Sequence, residues 1–281
     1  MPLRDRDRRS GGRMRRNDGP SSLRIVAAFA VLGLLLGGGV WLYVKGRSSS
    51  VAIDDKSLCR TSRAPSAVTV ILLDMSDRLS EPQRMAVHNE LYRARQRVPR
   101  FGLIEAYAVD PSGRRLIEPV IQICNPGTGA DLNHLYQNPE LARRRWERFD
   151  SDLSQKLDEL TERPSGNKSP IFEAIQSAAL RTFNRPDLDG VPKELLVVSD
   201  LMQNVPGKLS LYQEHPNFKA FKKSTYFANI RADLGGVSTQ VLMLVRPSVQ
   251  SDALWLVSFW ESYFAAQGAH IESIQPVYGE Q

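Results

Sequence analysis

Two short apolar runs in this chain end on the same type of side chain. V68-T-V-I-L-L leads into Asp74, and E194-L-L-V-V-S leads into Asp200. In an open parallel sheet, a residue just past the carboxyl end of a strand faces the crevice where ligands bind. Aspartates delivered there by neighbouring strands repel each other unless they share a proton, a cation or an arginine. Hydroxyls lie close by in sequence: Ser76 two residues after Asp74, and Ser169 at the start of the segment that leads into the second strand. Few carboxylates, neutral hydroxyl oxygens and room for water suit Mg²⁺, with Mn²⁺ or Ca²⁺ as substitutes. Arg78 offers a different solution, because a guanidinium there would neutralise Asp74 and Asp200 without metal. Each residue also has an ordinary use. Ser169 before Pro170 fits a helix N-cap, Ser76 a turn cap, and Asp77 beside Arg78 an exposed ion pair.

The elements that must position these groups can be read from periodicity and punctuation. Val68–Leu73 is a continuous apolar run, the pattern of a strand covered on both faces. Ser80-Glu-Pro-Gln83 has the residues of a helix start with a capping box, and the helix is predicted to run to about Val98. Phe101–Val109 and Leu116–Cys124 are strands joined by Asp110-Pro-Ser-Gly113, which predicts an antiparallel pair. Helices follow over Pro139–Arg163 and from Ser169 through Phe183, then the strand ending at Asp200. Gln203–Lys222 reads as an irregular insertion. Val237–Val245 is a strand, Ser251–Gln267 a helix closed by Gly268, and Ile271–Val277 a last strand. Strands alternating with helices predict a three-layer α/β domain, its doubly wound sheet mostly parallel with one antiparallel edge strand. The helix over 251–267 carries Trp255, Phe259, Trp260, Tyr263 and Phe264, and apolar residues on nearly all its sides predict burial against the sheet.

At the residues named first, the chain resembles the von Willebrand factor type A domain, also called the integrin I-like domain. The metal-ion-dependent adhesion site of that family has D-x-S-x-S after the first strand, a Thr or Ser before a helix, and an Asp after the fourth strand. Asp74 and Ser76 in D-M-S-D-R, Ser169 in G-N-K-S-P and Asp200 in V-V-S-D look like the corresponding positions. The resemblance covers about residues 67–281. The chain departs from the pattern at Arg78, where a second serine is expected, and at Leu201, where glycine is common. The resemblance implies a protein-interaction module in which a cation with an open position accepts a carboxylate from a protein partner.

The N-terminal part belongs to a different environment. Residues 1–24 carry eight arginines against three acids, +5 of the formal +6 of the whole chain, with almost nothing apolar to bury. They read as a disordered basic tail suited to anionic lipid. The domain itself is close to neutral, which excludes a basic nucleic-acid face. Ile25–Val44 holds twenty uncharged residues, about 30 Å of helix at roughly 1.5 Å per residue, the thickness of a bilayer core. The expectation is a single transmembrane helix, the alternative a cleaved signal peptide ending near Ala52. Upstream arginines place the N-terminus in the cytoplasm and the domain outside, in the periplasm of a bacterial inner-membrane protein. Gly33 and Gly37 have the small-x-x-x-small spacing of a helix homodimer. Residues 45–66 are expected to be a linker and 67–281 the domain. An oxidising compartment would allow Cys59 and Cys124 to bond, both at the sheet end opposite the aspartates.

Enzyme signatures are missing from the sequence. There is no G-x-S-x-G, H-E-x-x-H or Walker A motif, and a haloacid-dehalogenase nucleophile motif fails at Ser76. The expectation is a non-enzymatic, membrane-anchored interaction module. The alternatives are a structural subunit of a cell-envelope complex with a vestigial site, and a metal-assisted hydrolase using the same carboxylates.

Overall fold

The computed structural model describes residues 22–48, 52–112, 116–129, 138–162, 166, 168–246 and 253–279. Residues 1–21 of the tail expected over 1–24, Gly113 of the expected turn, Asn167 of G-N-K-S-P and the first two residues of the expected 251–267 helix lie outside the described residues, while residues 22–24, expected to be disordered, open a helix. The chain divides into two compact units, Met1–Ser50 and Val51–Gln281.

The first unit is helix α1 (Ser22–Ser48). Its stretch Val26–Val44 is long and apolar enough to cross a membrane, with a mean hydropathy of 2.0 over 19 residues. Residues 26–44, Gly33 and Gly37 among them, are exposed, which suits lipid as the surrounding solvent.

In the second unit the elements follow in chain order. Strand β1 (Val68–Leu73) leads to helix α2 (Glu81–Arg97), then β2 (Leu103–Ala108) and β3 (Ile121–Cys124). Helices α3 (Pro139–Glu162) and α4 (Ile171–Ala178) precede β4 (Lys193–Ser199). The insertion holds a two-stranded hairpin, β5 (Asn204–Val205) and β6 (Leu209–Ser210), and two short helices, α5 (Phe218–Phe221) and α6 (Thr225–Asn229). Strand β7 (Val237–Val245), helix α7 (Ala253–Ala266) and strand β8 (His270–Tyr278) complete it.

Six strands form one sheet in the order β3-β2-β1-β4-β7-β8. All pairs are parallel except β2 with the edge strand β3. Helices α2 and α3 cover one face, packing Val87, Leu91, Phe149 and Leu153 on Ile71, Leu73 and Ile104. Helices α4 and α7 cover the other, with Phe172, Trp260 and Tyr263 over Val70, Val197 and Val241. This is the three-layer α/β architecture expected from the alternation of runs. Phe259, Trp260, Tyr263 and Phe264 are buried as predicted, and Trp255 is partly exposed.

Local signals acted as written in the sequence at α2. The Ser80 hydroxyl accepts from the Gln83 amide, and the Gln83 side chain accepts from the Ser80 amide, so two otherwise orphaned donors at the helix end are satisfied.

The linker expected over 45–66 needs correction. Residues 52–66 fold onto the domain: Leu58 is 1% exposed, Ile53 bridges Arg60, and the Cys124 amide donates to the Ser57 carbonyl. Polar composition hid this, because the segment is held by one buried leucine, backbone bonds and Cys59 rather than by a periodic apolar face.

Candidate functional site

Strand β1 is flanked by β2 on one side and β4 on the other. The connections therefore reverse direction between β1 and β4, and at such a switch point the loops at the carboxyl ends splay apart and leave a crevice. Leu73 lies beside Val198 in register, so Asp74 and Asp200 leave the sheet from adjacent strands at the same rim. Both carboxylates are buried, 2% and 4% exposed, and with Ser76, Asp77 and Arg246 they line one cavity of about 30 Å³.

The Asp74 carboxylate is held from two directions. Ser169 Oγ donates to its Oδ2 at 2.6 Å, and Ser199 Oγ donates to the same oxygen at 2.9 Å. The other oxygen, Oδ1, is buried with no hydrogen-bond partner among the described residues. A space of this size holds roughly one water, which would satisfy it. Burial pushes the Asp74 carboxyl up, and Ser169, Ser199, the positive charge of Arg246 and Ser76 oppose the push.

Ser169 does not cap α4. The residue at the cap position is Pro170, with no side-chain cap bond. Gln203, from the loop after β4, accepts from the Phe172 amide at the head of the helix at 3.0 Å. The Ser169 backbone exchanges two 3.0 Å hydrogen bonds with Asn204. With its amide and carbonyl fixed to that loop and the helix end satisfied by Gln203, the Ser169 hydroxyl is free to turn to Asp74.

Asp200 is held by its own loop. The Met202 amide donates to Asp200 Oδ1 at 2.9 Å. The backbone between them turns at Leu201, whose φ of 62° lies in the left-handed region that favours glycine. A leucine there costs about 1 kcal/mol or more. It is held by burial of its side chain, by Ser199 Oγ accepting its amide at 2.8 Å and by Trp260 Nε1 donating to its carbonyl at 2.8 Å.

The cation at this rim is Arg246, the first residue after β7, and sequence reasoning missed it. Its Nε contacts Asp200 Oδ2, its Nη1 contacts Asp77 Oδ2, and its Nη2 donates to Ser76 Oγ at 2.9 Å. The guanidinium also lies 5.8 Å from the centre of the half-exposed Tyr212 ring, a cation–π contact. Arg78, expected to neutralise the aspartates, lines the same cavity from the loop after β1 but is exposed, and among the described residues it makes no ion pair with either aspartate. The physical reason is sheet order: β7 pairs with β4, so its carboxyl end delivers Arg246 beside Asp200. The rule that singled out Asp74 and Asp200, a charged residue immediately after an apolar strand, gives Arg246 when applied to Val237–Val245. Burial and the Asp74 charge push the Asp200 carboxyl up, to about 8. The guanidinium in contact with it acts in the opposite direction.

This donor set fits an arginine rather than a divalent ion. Asp200 Oδ2 and Ser76 Oγ, two of the oxygens a metal would need, already face the guanidinium, and a divalent cation beside it would be repelled. Among the described residues no group of three or more His, Cys, Asp or Glu side chains is placed to hold a metal.

At the opposite end of the sheet the charges stay closer to solvent: Arg97, with 37% of its side chain exposed, pairs with Glu90 and with Glu194 at 3.2 Å each. Cys59 and Cys124 are joined in a disulfide there, with Cα atoms 4.8 Å apart, and Cys124 lies beside Leu103 at the start of β2.

No family model and no curated protein matches the chain. Among solved structures it is similar to the conserved hypothetical protein BatB from Bacteroides thetaiotaomicron, at 13% identity over 76% of this chain and 91% of that one, with a TM-score of 0.38. It is also similar to an aerotolerance-related membrane protein from Bacteroides fragilis NCTC 9343, at 15% identity over 63% of this chain and 66% of that one, with a TM-score of 0.31. Likeness at this level carries no argument about activity, so the functional reading rests on the rim itself.

Proposed function

We propose that this chain is a membrane-tethered protein-interaction module that docks a partner at the carboxyl rim formed by Asp74, Ser76, Ser169, Asp200 and Arg246. The observation that supports it is the burial of two carboxylates and a guanidinium at the switch point of the sheet, where a chain that needed only stability would place apolar side chains. The resemblance of Asp74, Ser76, Ser169 and Asp200 to the von Willebrand adhesion-site pattern supports the same reading. Helix α1 is the anchor, the basic tail lies on the cytoplasmic side, and the disulfide suits an oxidising compartment such as the periplasm. A pair of anchors can associate through Gly33 and Gly37. In this reading the Ser169 and Ser199 hydroxyls that donate to Asp74 hold that carboxylate in place rather than act as nucleophiles, and the module is not an enzyme.

A photo-cross-linking residue at Tyr212, half-exposed beside Arg246, tests the reading in intact membranes. One discrete adduct is expected, lost in Asp74→Ala and Asp200→Ala variants that remain folded. An adduct captured equally by these variants would show that the rim is not the docking face. Turnover of phosphoesters or peptides by the purified protein, abolished by Asp74→Ala, would replace the module with a hydrolase.

A further inference from the structure

The docking reading leaves open what supplies positive charge at a rim built around two buried carboxylates. We infer that Arg246 is the resident cation of this site, so that the rim is assembled without metal and offers a guanidinium to a partner carboxylate. The inference deepens the docking reading and concerns the same residues.

Three observations carry it. The guanidinium bridges both strand-end loops, contacting Asp200 from β4 and both Ser76 and Asp77 from the loop after β1. A bound cation would have to make the same bridge to hold these loops together. Its side chain is 19% exposed, buried enough to be fixed and open enough to be met from outside. Finally, a guanidinium carries five N–H donors. These contacts use one on each nitrogen, and among the described residues the second hydrogen on each terminal nitrogen meets no further acceptor. Two donors on adjacent terminal nitrogens are what a carboxylate takes from arginine, so an acidic side chain or a chain terminus is the chemistry recognised.

The arrangement also predicts what removing the arginine exposes. Without it, Ser76 Oγ loses its partner and Asp200 Oδ2 keeps only the 3.4 Å bond from the Tyr212 hydroxyl, and with Asp74 Oδ1, already unpartnered among the described residues, they line an oxygen-rich space that a small divalent ion could enter. The glutamine side chain of Arg246→Gln is shorter and uncharged and does not reach across the rim as the guanidinium does.

Full-length protein in detergent micelles, titrated with Mg²⁺ by calorimetry and with Mn²⁺ by electron paramagnetic resonance, tests this directly. The unaltered protein is expected to show no saturable binding. Arg246→Gln is expected to bind Mn²⁺ about tenfold more tightly or better, and Arg246→Gln with Asp74→Asn to lose that gain. Saturable binding by the unaltered protein, or no gain in Arg246→Gln, overturns the inference. Should Arg246→Gln fail to fold, the thermal midpoint of the unaltered protein decides. A midpoint indifferent to Mg²⁺ and to EDTA supports a metal-free rim, and one raised by Mg²⁺ and lowered by EDTA overturns it. The outcomes separate from those of the cross-linking experiment. Metal bound by the unaltered protein removes the role of Arg246 and leaves docking standing, whereas an adduct indifferent to Asp74 removes docking and leaves the metal result intact.

Discussion

The two ends of the six-stranded sheet are finished with different chemistry. At the amino end the chain is closed by a disulfide between Cys59 and Cys124, by the buried Leu58 and by the backbone bond from Cys124 to Ser57. At the carboxyl end the closure is ionic, with Asp74, Asp200 and Arg246 held among hydroxyls and amides. Covalent and apolar closure requires no charge to leave water, whereas each buried ion costs several kcal/mol of desolvation that its partner only partly offsets. The amino end carries charge as well, but Arg97, Glu90 and Glu194 keep 37%, 12% and 23% of their side chains exposed, whereas Asp74 and Asp200 are 2% and 4% exposed, and the docking proposal rests on that difference.

Removing the covalent closure should have the largest effect on stability. The cysteines are 65 residues apart, and constraining a loop of that size contributes about 4 kcal/mol in the chain-entropy description. Cys59→Ser with Cys124→Ser should lower the urea midpoint accordingly while leaving the Tyr212 adduct in place. Loss of the adduct in a folded double variant would mean that the two ends are coupled.

The next largest effect is expected at the other end. Arg246→Gln leaves Asp200 buried without its cation, and breaking a buried pair costs about 3 kcal/mol. The sign with pH is set by the push on Asp200, toward about 8. A carboxyl whose folded value lies above its ordinary value near 3.8 is most favourable to folding below that ordinary value. That contribution is lost as pH rises through the folded value. That value belongs to the protein with Arg246 in place, so losing the cation moves the carboxyl higher still, and the penalty of Arg246→Gln should be small at pH 5 and grow as pH rises through about 8 to pH 9. Urea titrations at both values check this, and a penalty equal at the two would show that Asp200 keeps its proton count without the arginine.

Asp74→Asn should cost less, about 1–2 kcal/mol, because an amide oxygen in the place of Oδ2 still accepts from both Ser169 and Ser199, while the NH2 group takes the buried place of Oδ1, which has no hydrogen-bond partner among the described residues. Its effect on the adduct should be complete despite the modest loss of stability. An unchanged adduct would sever the carboxylate from docking.

The smallest effect belongs to a buried carboxyl that no arginine touches among the described residues, with Arg185 acting on it only at a distance. Glu105 on β2 accepts from Gln122 at 2.8 Å and from Tyr107 and Thr182, and burial pushes its carboxyl up. Glu105→Gln keeps the shape and removes a group that favours folding only while protonated. Stability should change by less than about 1 kcal/mol at pH 5 and rise slightly at pH 8. A large loss at both values, read by thermal melting, would show that the carboxyl and not merely its oxygens is needed there.

Much of this molecule was legible where the physics is local. A run such as Val68–Leu73 excludes water on both faces in any context, Ser80 and Gln83 satisfy each other within four residues, and the uncharged stretch through Val44 is long enough for a bilayer whatever follows. The carboxylates were legible for a related reason, since an aspartate directly after a buried strand must emerge at its carboxyl end. Residues 52–66 were not, because a single leucine and a cysteine give no period to read.

What the sequence by itself determined is therefore the set of elements, their α/β alternation, and Asp74 and Asp200 at the ends of their strands. The tertiary structure alone decided that β7 lies beside β4, that Arg246 rather than Arg78 meets the aspartates, and that Gln203 relieves Ser169 of capping. These are contacts between segments 30 or more residues apart, and their energies depend on which strands become neighbours, a property no local pattern contains.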